Sequence, residues 1–193
     1  MTETIVRIYL DTETTGLDPS THEILEVAVV RELCHAPYNE PGDITHRWCR
    51  KIAPKHIETA EPVALKVNGY TADGWAGAVP FESVALELLD LLKGGTIIGH
   101  NPKFDTGFLT AALLAAGVEP KFSHRTIDTT TVAYMAWGLD GKLKLSLDNL
   151  RKHLGLSHEG AHTALQDALD CRVVFYRALA ARGGSPSFSR EDD

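Results

Sequence analysis

The apolar residues of this chain repeat with one period up to about residue 52 and with another beyond it, and no other feature restricts the fold as much. IVRIYL at 5–10, ILEVAVVR at 24–31 and the loosely alternating stretch Ile44–Ile52 read as three strands, the first ending at Asp11. The turn-rich segments between them, DTETTGLDPSTHE and HAPYNEPGD, are too short for crossover helices, so the three form an antiparallel meander. Helical spacing then takes over at 62–67 and 81–92, where Val84, Leu88, Leu91 and Leu92 line one stripe. Thr96–Gly99 is a short apolar strand. It feeds a helix that Asn101 caps and Pro102 opens, running to about Ala116 and ending at Gly117. A short strand near 125–127 and helices near 129–137, 146–154 and 163–181 complete the order βββααβαβααα. This describes one mixed α/β domain over 1–182, with residues 183–193 read as a disordered tail.

A chain of 193 residues can bury a sizeable core without disulfides or metals, and 44% hydrophobic with 23% charged residues excludes a disordered or coiled-coil chain. No apolar stretch reaches the ~20 residues that cross a bilayer, and MTETIVRIYLD has no signal-peptide pattern. No membrane association and a cytoplasmic location are therefore expected. Cys34, Cys49 and Cys171 are odd in number and show no CxxC spacing, which excludes a disulfide framework and a thiolate zinc site. A net charge of −7 argues against coating nucleic acid through bulk electrostatics. It leaves room for an enzyme that grips a short piece of nucleic acid, because carboxylates gathered around bound cations are neutral or positive as a site.

Three element ends carry chemistry. In Asp11-Thr12-Glu13 the two acids are i and i+2 on an extended chain, so both point the same way and can converge on one cation. Alone the pattern is weak, since a chance DxE is expected ~0.6 times in a chain this long, and a solvated strand end feeding a turn is the simpler reading of it taken alone. In His100-Asn101-Pro102-Lys103-Phe104-Asp105, the acid falls in the first turn of a helix, where the dipole favours its charge. Phe104 and Phe108, one turn apart, read as core. In His162-Thr163-Ala164-Leu165-Gln166-Asp167, five helical residues would subtend ~140° and separate the two end side chains. Glu159-Gly160-Ala161 places His162 on a loop entering the helix instead, free to move beside a fixed Asp167. That arrangement suits a general base, although a histidine on a surface loop is the simpler reading of this segment taken alone.

Taken together and in order, DTETTGLDP at 11–19, HNPKFDTGFL at 100–109 and AHTALQDAL at 161–169 resemble the DnaQ-like, DEDDh-type 3′→5′ exonucleases, in particular the proofreading-subunit branch (DNA polymerase III epsilon). The linking stretches AEPVALKVNGY (60–70), TIDT (126–129) and SLDNLRKHLGL (146–156) extend the similarity from Ile5 to about Ala180. The resemblance implies an α/β, ribonuclease-H-like fold with a five-stranded mixed sheet of order 3-2-1-4-5, flanked by helices. It implies that Asp11, Glu13, Asp105 and Asp167 hold two divalent metal ions, Mg²⁺ or Mn²⁺, and that His162 is the general base. Asp11 would bridge the ions, with Glu13 and Asp167 on one and Asp105 on the other.

The same resemblance brings the backbone around Thr12, Thr14 and Thr15 to the terminal nucleotide, wedges Leu17 against its base, and sets His100 and Asn101 at the pocket border. Asn68 stands where proofreading subunits often carry histidine in a VHG sequence, so that contact departs from the family pattern. Lys142, Lys144, Arg151 and Lys152 form a basic stretch that either guides the nucleic-acid backbone or is a solvated face.

The expected partner is the 3′ end of a nucleic acid. DNA is favoured because DTETTGL resembles proofreading subunits, whereas oligoribonucleases typically read DMEMTGL. An exoribonuclease is the alternative within the class, and a catalytically silent binding module of a polymerase or repair complex is the alternative outside it. A zinc site at His153, His158 and His162 is permitted by spacing alone. A polymerase or repair partner is not indicated by the short C-terminal tail, which has no clamp-binding QxxLxLF pattern, so a freestanding nuclease or one docking through its folded surface is expected.

Overall fold

The structure, a computed structural model, describes residues 4–183, and the expected tail beyond Gly183 lies outside them. Strands β1 (Thr4–Thr14), β2 (Ile24–His35) and β3 (Asp43–Lys51) are followed by helices α1 (Pro62–Val67) and α2 (Phe81–Leu92). Then come β4 (Thr96–Gly99), α3 (Pro102–Ala115), β5 (Thr126–Asp128), α4 (Thr129–Ala133), α5 (Leu147–Leu154) and α6 (Ala164–Ala181). The sheet order is β3-β2-β1-β4-β5, with the first three strands antiparallel and β4 and β5 parallel to β1.

Two sequence readings are corrected. Strand β1 does not stop at Asp11. It runs on to Thr14, pairing Asp11 with Ala28 and Glu13 with Glu26 before a bulge at Glu13/Thr14. The segment after Ala133 is not regular α-helix but a π turn over Tyr134–Gly138, a form common where helices adjoin functional sites.

Alternation along the strands sends side chains into two cores, one on each face of the sheet. Ile8, Leu10, Val27 and Val29 pack with Leu88, Phe108, Leu109 and Leu113 of α2 and α3. Tyr9, Val30 and Ile98 face the other way onto Leu150 of α5 and Ala168, Val174 and Phe175 of α6. Phe104 and Phe108 stack with ring centroids 4.8 Å apart within the first core, as their spacing suggested. Helix α6 is anchored on the second face by the fully buried Glu32. That carboxylate accepts from Tyr9 Oη (3.0 Å), Tyr176 Oη (2.7 Å), Arg172 Nε (2.8 Å) and the Gly42 N–H (3.0 Å). Among the described residues no helix is long and apolar enough to cross a membrane.

Leu88, fully buried in the α2 core, should therefore be costly to truncate. Leu88→Ala is expected to lower the unfolding free energy by about 2–5 kcal/mol in urea titrations. A loss below about 1 kcal/mol would show that α2 packs loosely on the sheet.

Candidate active site

The carboxyl end of β1 lies beside the N-termini of α3 and α6, the place outside a sheet's strand ends where ligands bind in open α/β folds. Asp11 and Glu13 project there from the last turn-ward residues of β1, on the same side as expected from their i, i+2 spacing. Asp167 comes from the first turn of α6, and one carboxylate oxygen from each of Asp11, Glu13 and Asp167 lies within 4.8 Å of the others. Asp105 enters from the first turn of α3 and is buried, its Oδ1 accepting from Thr12 Oγ1 at 2.7 Å. Its charge still acts on Asp11 and Glu13.

Crowded like charges in a partly dry site disfavour ionisation. Burial, then the charges of Asp105, Asp167 and Glu13, push Asp11 well above the usual carboxylate range. Burial and the neighbouring carboxylates of Asp167, Glu26 and Asp105 raise Glu13 to about 8. Burial raises Asp105 to about 7 against the hydrogen bonds it receives. Burial also raises Asp167, opposed by Arg151 and the His162 N–H. An oxygen-only set of four repelling acids fits a hard divalent cation, which would relieve the repulsion and hold all four ionised.

His162 precedes α6, as its sequence context indicated, with a left-handed backbone (φ +65°). Its N–H donates to Asp167 Oδ1 at 3.1 Å, and its Nε2 is 3.7 Å from Asp148 Oδ2. His153 stacks on Trp137 at 5.3 Å. Among the described residues, the cluster able to hold a metal through three residues is Asp11, Glu13 and Asp167, so the histidine zinc site is not formed.

The remaining site residues sort by what holds them. Thr12, Thr14 and Thr15 are buried and their hydroxyls serve the protein: Thr12 binds Asp105, Thr14 Oγ1 donates to the Gly16 carbonyl at 2.7 Å, and Thr15 Oγ1 accepts from the Glu23 N–H at 2.8 Å. Leu17 is 73% exposed. Asn68 closes α1 and donates from Nδ2 to the Thr14 carbonyl (3.0 Å), while the Glu61 N–H at the other end of α1 donates to the Thr15 carbonyl (2.7 Å). Helix α1 is thus tied to the loop after β1 at both ends. His100 pairs its Nδ1 with Thr129 Oγ1 at 3.1 Å, and burial pulls its pKa down. Asn101 is corrected: it occupies the cap position of α3 in a left-handed conformation (φ +64°), and its side chain makes no cap bond. Its backbone N–H donates to Asp128 Oδ1 at 3.0 Å instead.

Two residues escaped the sequence reading. Arg151, placed there in a basic stretch beside Lys142, Lys144 and Lys152, is fully buried and guides no strand. Its Nη2 binds Asp167 Oδ1 at 2.5 Å, its Nη1 Asp148 Oδ1 at 2.8 Å and its Nε Asp170 Oδ2 at 2.7 Å. The signal was its position on α5, within the apolar stripe of Leu147, Leu150 and Leu154 rather than opposite it. Glu26, opposite Glu13, is the other: its Oε2 accepts from the Ala164 N–H at 2.8 Å, supplying the N-terminal cap of α6 that Thr163 does not. A cavity of about 270 Å³ bordered by His22, Ile52, Phe81 and Phe108 is lined by none of the four acids.

Acids clustered at the strand ends of a sheet can hold the divalent ions that phosphodiester hydrolysis uses. The Exonuclease family model, RNase_T, matches residues 8–175, and the chain belongs to that family. It is 30% identical over 170 residues to the DNA polymerase III subunit epsilon of Treponema pallidum, covering 88% of this chain and 74% of that protein. Against the same subunit of Haemophilus influenzae it is 31% identical over 194 residues, covering 97% of this chain and 71% of that one. The 3′-5′ exonuclease DinG of Bacillus subtilis is 29% identical over 174 residues, 89% of this chain but 17% of that protein. Escherichia coli exonuclease I, solved with a dT13 oligonucleotide, superposes with a TM-score of 0.79 at 16% identity, over 93% of this chain and 42% of that one. The chain spans less than half the length of that structure, which shares its fold.

The raised carboxyls set the sign of the pH dependence. The folded protein holds protons that the unfolded chain releases near the ordinary values of 3.8 for Asp and 4.5 for Glu. Their contribution is therefore fully present below those values and is lost as pH rises through about 7 and 8. The metal-free protein should melt at a lower temperature at pH 8.5 than at pH 5.5, and Mn²⁺ should restore the difference. Asp11→Asn should flatten the pH trend in the same scanning calorimetry. A metal-free melting temperature that rises over this interval would contradict the charge repulsion.

Proposed function

We propose that this chain removes nucleotides from the 3′ end of single-stranded or frayed DNA, with two Mg²⁺ or Mn²⁺ ions held by its four acids. The observation that carries this reading is the convergence of Asp11, Glu13 and Asp167 within 4.8 Å, with Asp105 brought to the same strand end by Thr12. In this reading Asp11 would contact both ions, Glu13 and Asp167 would hold one, and Asp105 would support the other. When bound, such ions lower the pKa of an attacking water and stabilise charge on the departing oxygen. Asp167 offers its second oxygen, because Oδ1 is taken by Arg151 and the His162 N–H.

His162 is half-exposed and tied through its N–H to Asp167, and its ring would take the proton of the attacking water. The water oxygen bonds to the phosphorus, the bond to the 3′ oxygen of the penultimate nucleotide breaks, and a nucleoside 5′-monophosphate leaves. Leu17 (73% exposed) and the α1 residues Val63 (72%) and Val67 (51%) offer apolar surface beside the cleft for the terminal base. Asn68 and the backbone from Thr12 to Thr15 fix the loop against which that nucleotide would lie. His100 and Asn101 border it. DNA as the substrate is supported by the polymerase subunits among the relatives and by the oligonucleotide carried by the exonuclease I structure. A polymerase is the partner class those relatives suggest.

A gel of two 5′-labelled oligomers, one DNA and one RNA, should show a ladder shortening from the 3′ end in Mg²⁺ or Mn²⁺, faster on DNA and absent with EDTA. Asp11→Ala is expected to lose on the order of 10³-fold or more of this activity while remaining folded, because removing one repelling acid does not weaken the metal-free core. No ladder on either oligomer would overturn the assignment, and faster loss from RNA would move the substrate to RNA.

A further inference from the structure

The reading of His162 as general base leaves open what holds its ring in place. The residue precedes α6 on a turn, is half-exposed, and has a backbone conformation that side-chain-bearing residues adopt rarely. Two carboxylates flank it. The backbone N–H is held by Asp167 Oδ1 at 3.1 Å, and the ring Nε2 faces Asp148 Oδ2 at 3.7 Å. Both carboxylates are in turn gripped by one guanidinium: Arg151 Nη2 on Asp167 Oδ1 and Nη1 on Asp148 Oδ1. The third donor of that fork, Nε, is anchored on the fully buried Asp170 at 2.7 Å, and Arg151 itself is wholly buried. A planar fork with three fixed acceptors leaves little freedom to any of them.

We propose that Asp148 is a positioning residue for His162, and that Arg151, by holding Asp148 and Asp167 together, keeps the histidine in register with the metal-binding acids. This rests on the assignment of His162 as base. Asp148 sits in the first turn of α5, 43% exposed, and it is not one of the three residues whose oxygens cluster within 4.8 Å. Its influence on the reaction therefore runs through the ring it faces. Asp148 is itself part-exposed, and Arg151 keeps its bonds to Asp167 and Asp170 when Asp148 is changed, so the fold is retained. Asparagine keeps the oxygen that Arg151 Nη1 binds and turns a donor in place of an acceptor toward His162.

The test is a double-mutant cycle on the single-stranded DNA oligomer, with Asp148→Asn, His162→Gln and the double variant, alongside calorimetric binding of Mn²⁺ to each metal-free protein. Asp148→Asn should lower kcat about 10- to 100-fold with KM and Mn²⁺ affinity within about twofold of wild type. In the His162→Gln background it should cause no further loss, because a residue acting through the histidine has nothing left to position. Asp148→Ser, which removes both carboxylate oxygens, should show the same dependence and guards against an effect peculiar to asparagine. An equal loss in both backgrounds, or Mn²⁺ binding weakened tenfold or more by Asp148→Asn, would overturn the proposal and leave His162 as base. Full activity of His162→Gln would overturn the base assignment and the proposal with it.

Discussion

Four carboxylates held at one strand end repel one another, and much of the surrounding structure exists to hold them there. No single element could do it. Asp11 and Glu13 are fixed by a strand paired on both sides, Asp105 by a helix leaving the neighbouring strand, and Asp167 by a helix lying across the opposite face. Helix α6 must not tilt if Asp167 is to stay in place. It is pinned near its start by Glu26 on β2 and further along by Arg172 and Tyr176 on Glu32. Removing one partner from such a buried network strands a charge, which is what makes its geometry hard to relax. The repulsion favours the protonated carboxyls, and the buried guanidinium of Arg151 opposes it at Asp167.

Arg151 also changes what kind of site this is. A carboxylate cluster without a nearby cation would be free to protonate and turn its oxygens in many ways. Here one oxygen of Asp167 is committed to the protein, bound by Arg151 and the His162 N–H. The loop carrying His162 is tied to the same atom, so the candidate metal ligand and the candidate base share one anchor. That arrangement is preorganisation in the plain sense, with the orientation settled before substrate arrives.

Much of this could be read from the residues alone. The change of apolar period located the five strands and the α-helices, though not all of their ends, because burial on one or two faces is what imposes those periods. The i, i+2 geometry of Asp11 and Glu13 followed from strand pleating, and the loop position of His162 followed from Glu159-Gly160-Ala161. The strand order was implied by the resemblance, not by periodicity. What escaped depends on partners distant in sequence. Arg151 looked like surface charge until its three acidic partners from α5 and α6 came together around it. Asn101 sits where a cap belongs, but the turn from β4 forces it into a left-handed conformation in which its side chain serves no cap. Glu26 reads as one acid in a strand, and its capping of α6, 138 residues away, leaves no local trace. Strand β1 outruns its apolar run because Ala28 to Ile24 of β2 continue the pairing under the polar residues.

Divalent ions that bind these acids should displace protons that burial and like charge hold on them. Calorimetric titration of Mn²⁺ into the metal-free protein, in buffers of different ionisation enthalpy, measures that directly. With Glu13 raised to about 8 and Asp105 to about 7, binding at pH 7 should release protons, and the release should fall away toward pH 9. Mn²⁺ binding with no proton release at pH 7, or with a release that does not change between pH 7 and pH 9, would contradict it.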